Sequence, residues 1–207
     1  MGRWEPDARG RLEQAALELF VERGFEQATA AEIAGRAGLA ERTFFRHFSD
    51  KREVLFGGAG RLQELMVREV AEAPASLGPL DAVAAALEAA GAAFPRRALS
   101  RQRHVVIAAS QELQERELIK LAMLSTALAD ALRRRGVGDP AAGLAADAGI
   151  AVFTSAFQRW VDAPDEGDFA ELVRASLADL RAVTAGTARA ARPSRLLRRQ
   201  VAAAPRP

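Results

Sequence analysis

Two short predicted helices with a glycine between them constrain the fold of this chain more than any other feature. Thr29 and Glu32 have the spacing of a capping box, which predicts a helix over about 30–37. Gly38 breaks that helix, and a second helix is predicted over about 41–47. Helices this short are not stable alone, so they must pack on a neighbour. The spacing of the segment is that of a helix-turn-helix.

The apolar residues around this motif fit one small core. Phe44 and Phe48 are four residues apart and therefore share one face of the second helix, while Phe45 points away from that face. A preceding helix, predicted over 7–23, carries an apolar stripe that could cover them. The residues predicted to form this core are Leu12, Ala15, Ala16, Leu19, Phe20, Ile33, Ala34, Leu39, Phe44 and Phe48.

Helical periodicity continues through the rest of the chain, and no alternating pattern indicates a strand. We therefore predict an all-α fold of about nine helices. Asp50 and Glu53 have capping-box spacing, which predicts a fourth helix that begins at Lys51 and ends near residue 72. Five further helices are predicted over residues 80–94, 96–110, 112–135, 141–162 and 169–185.

Composition and motifs argue against several classes of protein. The chain has no cysteine, which excludes disulfides, thiol nucleophiles and Cys-ligated zinc. Its two histidines, His47 and His104, lie far apart, and the spacings of zinc proteases, serine hydrolases and P-loops do not occur. We predict no enzyme, no catalytic or metal site and no cofactor. No apolar run has the length of a signal peptide or membrane span, so we predict a cytoplasmic protein without a membrane partner.

The positive charge of the chain is unevenly distributed. The formal net charge is +2, but six arginines and no acid lie within residues 187–207. The rest of the chain holds 23 basic and 27 acidic residues, a net charge of −4. We predict that this Arg/Ala/Pro-rich tail is disordered, and it either is simply solvated or holds DNA non-specifically. A local basic patch lies over 42–52, where four cations outnumber one acid.

This patch has the chemistry of DNA recognition. The second short helix leaves Arg42, Thr43, Phe45 and Arg46 on its exposed side, and such a helix can enter a major groove about 12 Å wide. Thr29 and Lys51 stand at two predicted helix starts, where backbone N–H groups and the helix dipole favour phosphate.

The segment TAAEIAGRAGLAERTFFRHFSDKREVL closely resembles the DNA-binding signature of the TetR family of transcriptional regulators. That signature reads roughly T-x-x-x-I-A-x-x-A-G-V-S-x-x-T-L/F-Y-x-H/Y-F-x-x-K-x-x-L. The resemblance covers residues 10–56 and implies a homodimer that binds a palindromic operator in double-stranded DNA and releases it when a small-molecule inducer binds. It implies DNA contacts for Thr29, Arg42, Thr43, Phe45, Arg46, His47 and Lys51, with Arg46 at a variable position.

Two residues depart from the family signature. Ala40 stands where a serine usually caps the recognition helix, and the loss of that cap costs about 1 kcal/mol. Phe45 replaces the usual tyrosine, so a hydroxyl contact with phosphate gives way to packing on a sugar or a thymine methyl. His47 has a simpler alternative role as a solvated or capping histidine.

The last two helices have apolar stripes wider than one packing partner requires, which predicts a four-helix dimer interface. The predicted interface residues are Val152, Phe157, Trp160, Leu172, Val173 and Leu177. We expect a hydrophobic inducer to bind between the helices of 58–135 and 141–160, with helix 51–72 as the lever that moves the DNA-binding helices. Candidates for the pocket lining, each also explained as an ordinary core or surface residue, are Met66, Phe94, His104, Met123 and Phe153.

These observations divide the chain into three predicted parts. They are a helix-turn-helix DNA-binding domain over 8–67, a helical regulatory and dimerisation domain over 68–186, and the basic tail over 187–207. The predicted function is a ligand-responsive repressor. The alternatives are an activator of the same fold and a non-enzymatic helical module that binds other proteins.

Overall fold

The computed structural model of the chain describes residues 7–92, 94, 97–163 and 167–187. Those residues form an all-helical fold without strands, as predicted. The predicted disorder of the tail concerns residues that lie, apart from Thr187, outside the described ranges. The helices are α1 (Ala8–Arg23), α2 (Ala30–Arg36), α3 (Glu41–His47), α4 (Ala59–Glu72), α5 (Pro79–Gly91), α6 (Arg97–Ala108), α7 (Gln111–Arg134), α8 (Ala141–Asp162) and α9 (Phe169–Thr184).

The N-terminal helices enclose a core of their own, and all ten residues predicted for it pack there. Nine of them are buried, and Leu39 is half-buried against them. The same core also takes in Val106 and Ile107 from α6 and Leu113 from α7. The corner between α6 and α7 is therefore built into the N-terminal domain, although it is distant in sequence.

A second core lies among α4, α5, α7, α8 and α9. Its centre is Met66 and Val70 on α4, packed with buried residues of α5 and α7. The sequence assigns residues up to 67 to the N-terminal domain, but Leu62, Leu65 and Met66 pack in this second core. All of α4 is thus attached to the C-terminal helices.

The prediction that the fourth helix begins at Lys51 is wrong, because residues 51–58 form turns and α4 begins at Ala59. Asp50 accepts hydrogen bonds from the N–H groups of Arg52 (2.8 Å) and Glu53 (3.2 Å), so the predicted cap exists but serves a local turn. The adjacent Gly57 and Gly58 disfavour helix at this point.

Other predicted boundaries agree with the structure more closely. The gap between the predicted helices 51–72 and 80–94 separates α4 from α5, and the predicted helix 96–110 corresponds to α6. Phe94, predicted inside a helix, follows the end of α5 instead. Within the described ranges, no helix is both long enough and apolar enough to cross a lipid bilayer.

Candidate nucleic-acid interface

Helix α2 begins with the predicted capping box. The Thr29 hydroxyl accepts a hydrogen bond from the Glu32 N–H (3.2 Å), and the Glu32 carboxylate accepts one from the Thr29 N–H (3.0 Å). The Thr29 hydroxyl also donates to the Glu32 carboxylate (2.9 Å), and these bonds lower the pKa of Glu32. The box fixes the first turn of α2, and Thr29 itself remains exposed.

The turn between α2 and α3 requires its glycine. Gly38 has a φ of 69°, which favours glycine, and the Leu39 N–H donates back to the Ala34 carbonyl at 2.8 Å. Arg11 of α1 donates a hydrogen bond to the Ala37 carbonyl at the end of α2. No local pattern predicts this contact, since the two residues are 26 positions apart. Together these bonds set the angle at which α3 leaves the turn.

Helix α3 separates a buried aromatic face from an exposed basic one. Phe44 and Phe48 are buried with ring centroids 5.5 Å apart, as predicted. Phe45 is 54% exposed and meets the ring of Phe44 edge-on at 5.3 Å. Arg42 and Arg46 are exposed as predicted. The outer side of α3 therefore presents one aromatic ring between two guanidinium groups.

Helix α3 begins without a side-chain cap, because Ala40 stands at its N-cap with φ −76° and ψ 147°. A serine prefers this backbone conformation and could accept a bond from the Arg42 N–H, since the Thr43 N–H already donates to the Ala40 carbonyl at 2.8 Å. Ala40→Ser is expected to raise the free energy of unfolding by about 1 kcal/mol in urea denaturation. Ala40→Val is the control without a hydroxyl. If both variants had the same free energy of unfolding as the unchanged chain, the missing cap would not limit the stability of the domain.

Lys51 is not placed as the sequence indicates. Its ammonium donates to the carbonyls of Phe25 (3.0 Å), Glu26 (3.3 Å) and Ala28 (3.4 Å) and lies 4.2 Å from the centroid of the Phe25 ring. It is also eight residues before the start of α4, so the dipole argument for a phosphate contact does not apply. Lys51 instead holds the loop that leads into α2.

The other predicted phosphate and base contacts differ in accessibility. Thr43 is half-buried. His47 is also half-buried, and its Nε2 is shielded from solvent without a hydrogen-bond partner. That nitrogen cannot reach a phosphate in this conformation. Thr29, Arg42, Phe45 and Arg46 remain the accessible members of the predicted set.

A polar joint, formed by the turn segment 50–56 and residues 103–120 of α6 and α7, connects the two halves of the chain. Glu53 accepts a hydrogen bond from Arg116 Nε (2.7 Å) and pairs with Lys120 (3.1 Å). Arg103 donates to the Leu55 carbonyl, lies 5.1 Å above the Phe56 ring, and its burial lowers its pKa. The sequence contains no local signal for this joint, which forms only in the folded chain.

Glu53 is the central acid of the polar joint, with a side chain only 19% exposed. Glu53→Gln is expected to destabilise the chain by about 1–3 kcal/mol, because two cations lose their counter-charge in a partly buried site. A double-mutant cycle with Arg116→Gln in urea should give a coupling of at least about 0.5 kcal/mol. Glu69→Gln, in a more exposed pair with Arg68, should change stability by less. Additive effects at Glu53 and Arg116 would contradict this account.

The five predicted pocket residues do not all lie together. Phe94, His104 and Phe153 belong to one aromatic cluster. Met66 is fully buried in the second core, against which Phe94 and Phe153 also pack, whereas Met123 is 54% exposed on α7. The members of the aromatic cluster are Phe94, His104, Phe153, Phe157, Trp160 and Phe169.

Four of the six residues predicted at a dimer interface belong to the core of the chain itself. Val152, Trp160, Val173 and Leu177 are buried in the second core, so the chain itself covers most of each side chain. The wide stripes of α8 and α9 arise because both helices pack on each other and on α5. Phe157 and Leu172 are half-buried against the same core.

Comparison with known proteins agrees with this geometry. The family "Bacterial regulatory proteins, tetR family" matches residues 13–56, and the "MftR C-terminal domain" matches residues 77–185. The fold resembles that of the fatty acid degradation regulator FadR from Bacillus halodurans, with a TM-score of 0.58 and 17% identity over 86% of this chain and 96% of that one. These matches define a helix-turn-helix regulator.

The chain belongs to the TetR family. It is 37% identical over 81 residues to the HTH-type transcriptional regulator TcmR of Streptomyces glaucescens, which covers 39% of this chain and 36% of that protein. It is 39% identical over 67 residues to the HTH-type transcriptional activator FasR of Mycolicibacterium smegmatis, over 32% of this chain and 31% of that protein. The matched segments thus span about a third of each relative.

Proposed function

We propose that this protein regulates transcription by binding a palindromic operator as a homodimer, with α3 of each subunit in a major groove, and that it acts as a repressor. The observation that carries this proposal is the division of α3 between a buried Phe44 and an exposed face of Arg42, Phe45 and Arg46. An arginine side chain can donate two hydrogen bonds to one guanine, to its O6 and N7 atoms. An aromatic ring can pack on a thymine methyl group.

The charge of this exposed face supports DNA as its partner. Neither Arg42 nor Arg46 is paired with a carboxylate among the described residues. By contrast, Arg36 pairs with Glu22, and Arg52 with Asp50 and Glu112. The two arginines of α3 thus keep their charge available, as a phosphate or a base edge requires.

A homodimer needs an accessible surface, and α8 and α9 offer one on their outer side. Leu144, near the start of α8, is 66% exposed, and Val183, near the end of α9, is 64% exposed. Because α8 ends where α9 begins, these residues lie at the same end of the pair. Further along α8, its outer side has the small residues Ala148 and Ala151, which permit close approach of a partner helix.

Leu144→Asp combined with Val183→Asp is expected to produce monomers, because two carboxylates would be buried at the proposed interface. Analytical ultracentrifugation measures the mass directly. Val105→Asp, at an equally exposed position on α6, is the control and should leave the dimer intact. A dimer that survives the double substitution would place the interface elsewhere.

The proposed response to ligand uses the aromatic cluster and the polar joint. A ligand beside the aromatic cluster would shift α6, which contributes Val106 and Ile107 to the N-terminal core. The polar joint would pass this movement to the segment that follows α3. The lever is therefore the α6–α7 corner rather than a helix starting at Lys51, and the ligand would select between two spacings of the α3 helices.

A mobility shift with the DNA upstream of its own gene, repeated over a range of salt concentrations, tests this function. Specific retardation that weakens with salt supports it. A protein-binding module would give no retardation even at low salt. A reporter gene placed under the bound DNA distinguishes a repressor from an activator. Expression of the reporter falls in the presence of a repressor and rises in the presence of an activator, which is how the relative FasR is described.

A further inference from the structure

Arg97, the first residue of α6, has a guanidinium group without a partner. Its Nε and Nη2 atoms are both shielded from solvent and make no hydrogen bond. A guanidinium group has five N–H donors and no acceptor, so each shielded N–H needs an acceptor from outside the group. Buried donors of this kind are costly unless an acceptor is present. An anion bonded to these two N–H groups would remove that cost.

The segment around Arg97 contains no acid, and Asp162, at the nearby end of α8, bonds to Gln158 (2.7 Å). From Ala92 to Gln111 the sequence has four arginines and no acid. Two of these arginines are engaged, since Arg101 donates to the carbonyls of Val161 (2.5 Å) and Ala163 (2.7 Å), and Arg103 belongs to the polar joint. Among the described arginines of this segment, Arg97 is the one with shielded N–H groups that have no hydrogen-bond partner. It also lies at the N-terminus of α6, where the helix dipole adds to the attraction for an anion.

The aromatic cluster packs against the face of α6 that carries Arg97. Arg97, Arg101 and His104 share one face of α6, because they are four and then three residues apart. That face lies against the end of α8, where Arg101 bonds to the backbone and the His104 ring is 6.1 Å from that of Phe157. Phe94, only three residues before Arg97, is surrounded by the rings of α8 and α9.

The cluster also offers apolar surface to a ligand. The rings of Phe94, Phe153 and Phe157 are half-buried, so part of each faces away from the core. Ring centroids 5.8–6.2 Å apart join these three residues in one group. An aromatic ring of a ligand could pack on these side chains at similar centroid distances, either stacked or edge-to-face.

We propose that Arg97 and the aromatic cluster bind a small amphipathic anion. This ligand is a carboxylate or a phosphate monoester, and its apolar ring or chain lies on the cluster. The anionic head bonds to Arg97, where a bidentate pair satisfies both shielded nitrogens. Taken as the effector site, this rests on the proposed ligand-responsive function, but the binding of an anion can be measured without DNA.

Isothermal titration calorimetry with three matched probes tests the proposal. We expect 1-naphthoate or 1-naphthyl phosphate to bind at least about tenfold more tightly than naphthalene-1-methanol, since only the first two can pair with a guanidinium. Whichever anion binds more tightly identifies the head group. Equal binding of all three, or binding of none, overturns the proposal.

The variant Arg97→Met tests the role of the charge. It should weaken binding of the preferred anion about 10- to 100-fold and leave the alcohol unchanged. Without ligand, its melting temperature should be equal or higher, because an uncompensated charge is removed. Arg68→Met, at an exposed arginine of α4, is the control and should bind as the unchanged protein does. Anion binding that survives Arg97→Met would contradict the proposal.

A DNA-binding assay on the same protein distinguishes failure of the anion site from failure of the regulatory function. If the protein shifts DNA but binds neither anion, only the anion site fails. If it binds the anion through Arg97 but no DNA, the regulatory function fails and the site stands.

Discussion

Phe44→Ala is expected to destabilise the N-terminal domain by about 3–5 kcal/mol and to abolish operator binding. Phe44 is fully buried and touches the rings of Phe45 and Phe48, so truncation leaves a cavity at the centre of a small core. A loss of this size is comparable to the whole stability of many domains. Urea unfolding followed by circular dichroism measures it, and a mobility shift measures the loss of DNA binding.

The adjacent residue supplies the matched control. Phe45→Ala removes the same ring from the exposed side of α3, so stability should change by no more than about 0.5 kcal/mol. Operator affinity should nevertheless fall, by about fivefold, because the apolar area that DNA would cover is lost. Phe45→Tyr restores the hydroxyl of the family signature and should tighten binding. If Phe45→Ala unfolded the domain, the assignment of buried and exposed faces would be wrong.

Replacement of both Arg42 and Arg46 by alanine is expected to reduce operator affinity by about 100-fold or more. Each arginine that bonds to a guanine edge contributes about 1–3 kcal/mol, and each phosphate contact adds to the dependence on salt. Both side chains are exposed, so the folded structure should keep its stability. Fluorescence anisotropy at several salt concentrations separates the two roles.

Single substitutions then sort the contacts. A variant that loses affinity for one base at one position reveals base recognition, whereas a lower salt slope with unchanged sequence preference reveals a phosphate contact. Arg68→Ala, on α4, should change neither quantity. Unchanged affinity in the double variant would remove α3 from the DNA interface.

The sequence predicts α3 well because its signals are local. Gly38 marks the turn, Thr29 and Glu32 mark the start of α2, and the four-residue spacing of Phe44 and Phe48 identifies the buried face. Each of these features acts within one or two helical turns. The same periodicity predicts that Phe45 lies on the exposed face of α3.

The start of α4 was harder to predict because two local signals compete. Asp50 accepts hydrogen bonds from the Arg52 and Glu53 N–H groups, as it would at the start of a helix. The glycine pair at 57–58 disfavours helix, and α4 begins only after it. The position of Lys51 depended on that helix start. Its ammonium group reaches carbonyls more than twenty residues away, which periodicity cannot indicate.

The prediction of the dimer interface rested on a weaker kind of signal. An apolar stripe shows that a helix packs on something, but it does not distinguish a helix of the same chain from one of a partner. Val152 and Val173 are buried in the second core, so the apolar stripes of α8 and α9 are at least partly covered within the chain. The polar joint around Glu53 and the charge of Arg97 are likewise evident only when the folded chain places distant residues together.

Selection of bound sequences from random DNA by the full chain tests the central claim most directly. The account predicts enrichment of an inverted repeat whose half-sites are centred about 34–36 Å apart, the spacing of two recognition helices in successive major grooves. It also predicts that the enrichment disappears when Arg42 and Arg46 are both replaced by alanine. Recovery of no common sequence at low salt, or of the same repeat with the double variant, would contradict the claim that α3 reads the operator.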